Sequence, residues 1–391
     1  VVVSRYLDGV DLAWLARAIA LAETARGLTS PNPPVGCVLV VDGRIVGEGA
    51  TRPTGGPHAE AVALAEAGDT ARGATAYVTL EPCGHHGRTP PCADALVQAG
   101  VRRVVVGHPD PNPIAGGGLG TLRKSDIEVV GPAPAGDPVR DMIGRQLEGF
   151  LTLVAFDRPH VTLKVAQTTA GSLVAADGAR WITGPAARRA VHRWRAAVDG
   201  VLIGSGTALA DDPRLTVRDG HDHPAPVQPR PIVLDARLRV SPDAAVVRRG
   251  ALILTAPSAD TRRAGALQDA GATLHAVPAA EGGGLDLGRA MTAIARHGMA
   301  SVLAEPGHSL AQALLDADLV DRLVVHVGQG DGGTVVAPAV SPAAATTWRL
   351  ERRGGAGPDA IQQYLRDRGP AADHRADHRD DDRDDHRLES C

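Results

Sequence analysis

The sequence predicts two consecutive α/β domains, on three observations. Apolar runs of strand length alternate with segments of helical spacing along nearly the whole chain. The alternation pauses near Asp157-Arg158-Pro159 and then restarts. A chain of 391 residues is long enough for two domains of ordinary size.

In the first domain, residues 9–26 space their apolar side chains as a helix does. Leu12, Leu15, Ile19 and Leu21 lie on or beside one face, and Asp11 is a candidate cap. The Pro-rich TSPNPPVG that follows must be a loop. Residues 35–48 read as a hairpin around Asp42-Gly43. A helix is expected from His58 to Ala67, a buried strand over 74–80, a helix opened by Thr89-Pro90-Pro91 and running through Gln98, and a buried strand over 101–107. A helical stretch near 137–154 closes the domain, giving expected bounds of 9–156.

The second domain, expected over 157–367, has strand-like runs at 160–166, 199–204, 231–235, 251–255, 300–304 and 321–326. Helical stretches near 185–197, 261–270, 286–297 and 308–317 separate several of them. Residues 368–391 repeat Asp-His-Arg, are too polar to bury a core, and are expected to be a disordered tail. The tail histidines His374, His378 and His386 offer weak metal affinity at most.

Composition excludes several function classes. Aromatic residues are 2% of the chain, so both cores must rest on aliphatic side chains. Residues 371–391 hold seven Asp, one Glu and four Arg, which sums to the chain's whole net charge of -4. The body is therefore near neutral, with no basic stripe, and nucleic-acid binding is not expected. No apolar run approaches the roughly 20 residues that span a bilayer, and the first residues do not resemble a secretory leader. Four cysteines (Cys37, Cys83, Cys92 and Cys391) do not make a disulfide framework in a chain this long. A cytoplasmic protein acting on a small molecule is expected.

The chemistry concentrates in GGPHAEAVAL and TLEPCGHHGRTPPC. His58, Cys83 and Cys92 supply one imidazole and two thiolates, a donor set that zinc favours, and three protein ligands leave a fourth position for water. Zinc lowers the pKa of that water to roughly 7, and the resulting hydroxide can attack an amidine-like ring carbon. Glu60, two residues beyond the His, is placed to shuttle protons from the water to the ring nitrogen and the departing amine, as in zinc deaminases. A closed zinc staple with His85 or His86 as fourth ligand is the bland alternative, and it leaves Glu60 without a task. Eight residues, GHHGRTPP, separate the two cysteines where nucleic-acid-editing deaminases have two. The insertion brings His85, His86 and Arg88 near the metal, which suits an anionic or phosphorylated substrate.

TSPNPPVGCVLV, GGPHAEAVAL, YVTLEPCGHHGRTPPC and DPNPIAGGG resemble the deaminase half of the bifunctional riboflavin-biosynthesis deaminase/reductases. RPHVTLKVA, DGARWITG, GSGTALADDPRLTVR and VLAEPGHSL resemble the reductase half. The resemblance covers roughly residues 10–367. It implies a cytidine-deaminase-like domain followed by a dihydrofolate-reductase-like domain. The first would deaminate 2,5-diamino-6-(5-phosphoribosylamino)pyrimidin-4(3H)-one, and the second would reduce the ribosyl group of the product to ribityl with NADPH. It further implies His58, Cys83 and Cys92 as zinc ligands and Glu60 as the catalytic proton carrier. Trp181, Thr207 and Asp211 match cofactor-contacting positions, and Arg195, Leu215, Arg218 and Glu305 match substrate positions. It also implies a homo-oligomer.

The chain departs from the family pattern at Thr51, where a His is frequent, and at Leu147, where an Asn is usual. In the reductase half Ala170 stands for an acidic residue, Ala179 for a Ser, and Pro306 for the first Gly of a Gly pair. Pro306 removes one backbone donor from a segment expected to face the cofactor pyrophosphate. These changes leave open an alternative, a deaminase whose reductase domain is degenerate or repurposed for a specialised pathway.

Overall fold

The structure, a computed structural model, describes residues 4, 6–85, 90–173, 181–219, 223–329, 338–340 and 347–367. His86, Arg88, Ala179 and the tail 368–391 lie outside the described residues. The chain divides into two compact units, with the break between Phe156 and Asp157.

In the first unit, α1 (Gly9–Ala25) starts at Asp8, whose carboxylate accepts the backbone N–H groups of Val10 and Asp11. Asp11 is therefore not the cap, contrary to expectation. It is buried, accepts both terminal nitrogens of Arg103 at 2.7 Å, and accepts the Tyr77 hydroxyl at 3.0 Å. A carboxylate inside the helix turns towards the sheet because a cation 92 residues away meets it there.

β1 (Gly36–Val41) and β2 (Arg44–Ala50) form the hairpin, with Asp42 and Gly43 both left-handed at φ 47° and 72°. β3 (Thr75–Leu80), β4 (Arg103–His108) and β5 (Glu128–Val130) complete a sheet of order β2-β1-β3-β4-β5. β1 runs antiparallel to β2 and β3, while β3, β4 and β5 are parallel. Every residue of β3 is buried, which explains its unbroken apolar run.

α2 (Ala59–Ala67), α3 (Cys92–Gln98), α4 (Gly118–Lys124), α5 (Pro138–Gln146) and α6 (Glu148–Phe156) complete the unit. α2 lies so close to β2 that a Cβ on Gly49 would overlap the carbonyl oxygen of Ala59. α4 and β5 carry no sequence signal. One opens in a run of glycines and the other has three partly exposed residues.

The second unit begins with β6 (His160–Thr168), α7 (Pro185–Ala196), β7 (Gly200–Gly204), α8 (Ser205–Asp211), β8 (Arg230–Leu234) and β9 (Leu252–Thr255). It continues with α9 (Thr261–Asp269), β10 (Thr273–Ala276), α10 (Leu287–Arg296), β11 (Ser301–Ala304), α11 (His308–Asp316), β12 (Arg322–Gly328), β13 (Trp348–Ala356) and β14 (Asp359–Arg366). The described strands form one sheet in the order β10-β9-β8-β7-β11-β6-β12-β14-β13. It is parallel from β10 to β12 and antiparallel beyond. A buried ion pair, Arg158 to both oxygens of Asp321 at 2.6 and 2.7 Å, ties the entry of β6 to that of β12.

The strand order positions the site. From β7 the chain winds outward through β8, β9 and β10. It then returns with β11 on the other side of β7 and moves on to β12 beyond β6. The direction of winding reverses between β7 and β11, and in open α/β sheets ligands bind outside the carboxyl ends of strands at such a point. No helix among the described residues is long and apolar enough to cross a membrane.

Candidate active sites

His58 is the N-cap residue of α2 and Glu60 lies in its first turn. β3 ends at Leu80 and delivers Cys83, and α3 begins with Cys92. The Cys92 N–H donates to Cys83 Sγ at 3.3 Å, and the Ala93 N–H donates to the Cys83 carbonyl at 3.2 Å. Behind the cysteine the chain packs on α4 without clearance: a Cβ on Gly118 would overlap the Pro82 carbonyl oxygen. The result brings His58 Nδ1 to 3.2 Å from Cys92 Sγ and 3.7 Å from Cys83 Sγ, with all three donor atoms within 4.8 Å of one another.

The electrostatics of this group fit a bound cation. A hydrogen bond from Cys92 holds the Cys83 thiol down to about 4, while that same bond and burial push Cys92 far up. Two thiols this close resist losing both protons, and a divalent cation is what lets both act as thiolates. The hydrogen bond with Cys83 raises the His58 ring. Glu60 is buried, and burial raises its carboxyl to about 7, although the His58 charge opposes the shift. A carboxylic acid that titrates near neutrality beside a zinc donor set is poised to take and give protons. His85 lies outside the donor group, and its ring nitrogens are buried without a partner among the described residues, so His85 is not a fourth ligand here, while His86 lies outside the described residues.

The donor group opens on a cavity also lined by Asn32, Thr51, Glu81 and Asp110. The Thr51 hydroxyl is engaged with the backbone, since Oγ1 accepts the Val35 N–H at 3.0 Å and donates to the Val35 carbonyl at 3.5 Å. Asp110 accepts the Asn112 N–H at 2.8 Å, and burial raises its carboxyl to about 6. Glu81 accepts the Leu119 N–H at 3.4 Å. Asn32 and Asp110 sat in the motifs TSPNPP and DPNP, but nothing local marked their side chains as cavity-lining.

In the second unit a cavity of about 1430 Å³ lies at the switch point. Its walls include Thr207 and Asp211 of α8, the turn after β8, and the start of α11. The Gly307 N-cap offers no side chain to the first N–H groups of α11, which leaves a donor-rich helix start suited to a pyrophosphate. Pro306 precedes that cap and so removes no donor from the helix itself. The residues present therefore fit a dinucleotide. Trp181 does not line this cavity; it is 56% exposed, with the Arg188 guanidinium 5.2 Å above its ring.

A second polar cluster lies beside it. Arg195 of α7 binds Glu305, which follows β11, through Nε–Oε1 at 2.7 Å and Nη2–Oε2 at 3.1 Å. Its Nη1 donates to the Thr216 carbonyl at 3.1 Å, and the Arg218 N–H donates to His192 Nδ1 at 3.3 Å, so α7 holds the loop that carries Leu215 and Arg218. Leu215 is buried and left-handed at φ 51°. Burial alone would raise Glu305, but Arg195 outweighs it and the carboxyl sits below its ordinary value.

β6 pairs Ala166 with His326 and Leu163 with Ala304, so Lys164 and His326 share a sheet face and Glu305 adjoins them. Burial lowers the Lys164 ammonium and lowers the His326 ring to about 3. His326 is fully buried, and neither ring nitrogen has a partner among the described residues. Its strand, LVVHVG, gave the sequence no sign of a polar site.

Comparison with known proteins covers both units. The cytidine and deoxycytidylate deaminase zinc-binding region matches residues 9–108, and the RibD C-terminal domain matches residues 159–344. Riboflavin biosynthesis protein RibD of Escherichia coli is 42% identical over 330 residues, spanning 81% of this chain and 87% of its own length. The Haemophilus influenzae protein of the same name is 35% identical over 372 residues, spanning 90% and 97%. The structure of Acinetobacter baumannii RibD superposes with a TM-score of 0.78 at 34% identity, covering 91% of this chain and 99% of that one. A Thermotoga maritima diaminohydroxyphosphoribosylaminopyrimidine deaminase/5-amino-6-(5-phosphoribosylamino)uracil reductase gives 0.75 at 29% identity, covering 91% and 99%. The expected fold classes, cytidine-deaminase-like and then dihydrofolate-reductase-like, hold, as do zinc and NADPH as cofactors. No relative favours a deaminase-only enzyme. The chain belongs to the bifunctional riboflavin-biosynthesis deaminase/reductases.

Proposed function

We propose that this enzyme carries out two consecutive steps on one phosphoribosylated pyrimidine. The first unit removes an amino group of 2,5-diamino-6-(5-phosphoribosylamino)pyrimidin-4(3H)-one. The second reduces the ribosyl group of the deaminated product to ribityl. The observation that carries the reading is the burial of Glu60 beside the His58–Cys83–Cys92 donor group.

In the first unit His58, Cys83 and Cys92 hold zinc, which when bound supplies Lewis acidity towards a water. Glu60 takes one proton from the attacking water and gives it to the ring nitrogen, then takes the second from the resulting hydroxyl and gives it to the departing amine, which leaves as ammonia. Asp110 and Glu81 offer carboxylate oxygens to the amino groups of the pyrimidine, and the enclosed cavity excludes bulk water from the ring.

In the second unit NADPH supplies the reducing equivalents. Thr207 and Asp211 border its site, and Trp181, outside the cavity wall, carries its cofactor assignment on the family motif alone. Arg195, Leu215, Arg218 and Glu305 hold the substrate, the guanidinium groups meeting its phosphate and hydroxyls. Lys164, next to Glu305, is placed to move a proton during opening of the ribose ring. The enzyme acts in the cytoplasm as a homo-oligomer, without nucleic acid or membrane partners.

The test feeds the diaminopyrimidine substrate to the zinc-loaded protein with and without NADPH and identifies the products. Ammonia release in both cases, with the ribityl product only when NADPH is present, is expected. Arrest at the deaminated ribosyl compound despite NADPH would overturn the reductase half.

A further inference from the structure

α7 turns two basic side chains towards the loop that follows α8. His192 and Arg195 stand three positions apart, so they share a face of the helix. Both reach the Thr216 carbonyl, Arg195 through Nη1 at 3.1 Å and His192 through Nδ1 at 3.1 Å. The same Nδ1 lies 3.3 Å from the backbone nitrogen of Arg218.

One ring nitrogen cannot donate to a carbonyl and accept from an N–H at once. The surroundings decide between the two. Arg195 already donates to the Thr216 carbonyl, and an imidazolium there would add a third positive charge beside Arg195 and Arg218. Burial lowers the His192 ring, and Arg195 and Arg218 lower it further, although the Thr216 carbonyl and Glu305 oppose the shift. The ring is therefore neutral, carries its proton on Nε2, and accepts the Arg218 N–H at Nδ1.

The earlier part of the loop is fixed by other elements. Asp212 Oδ1 accepts the Ala245 N–H at 2.8 Å, and Arg249 donates to the Arg214 carbonyl. The Gln228 amide meets Val217 twice, accepting its N–H at 2.7 Å and donating to its carbonyl at 3.0 Å. Arg218 comes next. Its backbone is held by a bridge to Pro224 across the loop and by His192 from α7.

We propose that His192 is a positioning residue: it sets Arg218 against the substrate phosphate, and so makes the second unit select the phosphorylated compound over its dephosphorylated form. The proposal rests on the reading that Arg218 meets that phosphate. A guanidinium binds a phosphate through a planar fork, so its direction matters as much as its charge. A displacement of about 1 Å at such a contact can cost roughly a hundredfold. His192 acts through the backbone of Arg218, and the chemistry at the ribose carbon does not call on it.

The test follows NADPH oxidation by the zinc-loaded full chain on 5-amino-6-(5-phosphoribosylamino)uracil and on the same compound without its phosphate. Wild type, H192A, H192N, R218A and the double variant H192A/R218A are compared, with thermal melts for each. Wild type should favour the phosphorylated compound roughly a hundredfold in kcat/KM, and R218A should lose most of that preference. H192A should lose about tenfold, through KM for the phosphorylated compound, with kcat and the KM of NADPH within about twofold. H192N should recover the preference to within about threefold, because its Oδ1 replaces Nδ1 as acceptor. The double variant should match R218A, since two residues acting through one contact do not add. H192N also keeps the test decisive if H192A fails to fold. Additive losses, equal loss on both compounds, or no recovery in H192N would overturn the role of His192 while leaving that of Arg218. An unchanged preference in R218A would overturn the phosphate reading, and the proposal with it.

Discussion

Arg195 and Glu305 hold each other in a two-pronged ion pair, with their side chains only 16% and 13% exposed. The pair joins α7 to the end of β11 and fixes the loop of Leu215 and Arg218 through Thr216. Replacing Arg195 with Ala strands a carboxylate that Lys164 alone must neutralise. R195A should lose about 3 kcal/mol of stability in denaturant unfolding. It should also raise KM for the deaminated substrate more than it lowers kcat. R195K should not restore binding, because a single ammonium cannot reproduce the fork. Unchanged stability and KM in R195A would refute the assignment.

E60Q keeps the shape of the buried acid and removes its proton-carrying capacity. Ammonia release should fall by roughly a thousandfold, while metal analysis still finds zinc bound. C83S, by contrast, should lose the metal itself. Zinc loss in E60Q would mean that Glu60 belongs to the donor set and would contradict the role assigned to it.

Gly118 seats the segment that carries Cys83, since any Cβ there meets the Pro82 carbonyl. G118A should displace Cys83 at a cost of about 1–3 kcal/mol. The readout is zinc affinity by competition with a chelator, expected to weaken tenfold or more. Equal affinity in wild type and variant would show that the close approach is not needed for the metal.

His326 makes stability pH-dependent. Its ring sits at about 3 in the folded chain, against an ordinary value of 6.5. Above pH 6.5 both folded and unfolded forms are neutral there, and the full stability is present. As pH falls below 6.5 the unfolded chain takes up a proton that the folded chain refuses until about pH 3. The second unit therefore loses about 1.4 kcal/mol per pH unit from this group, roughly 2 kcal/mol by pH 5. H326F should flatten that part of the stability–pH curve. At pH 7 it should be neutral or stabilising, because it removes two unpartnered buried nitrogens. A curve as steep as wild type would exclude His326 as the source.

The deaminase site was legible because its signals are short-range. A His-x-Glu at a helix start and two cysteines at a strand end and a helix start each announce their place through caps, prolines and apolar runs. The parallel strands β6, β7, β8 and β11 were legible for the same reason. β13 and β14 were not, because WRLERRGGA alternates no apolar face and forms a strand only by pairing with β14 at the sheet edge.

By itself the sequence determined the two-domain α/β organisation and the family, and it singled out His58, Cys83 and Cys92, which the fold brings together, with Glu60 beside them. The tertiary structure decided which way side chains turn. It drew Asp11 off the helix cap to Arg103 and set His192 against the backbone of Arg218. It placed His326 beside Lys164 and left Trp181 outside the cavity wall. Periodicity and capping are set by neighbours within a few residues. The partner that a charged or polar side chain finds is set by strand order and register, which bring together residues as far apart as Asp11 and Arg103 or Lys164 and His326.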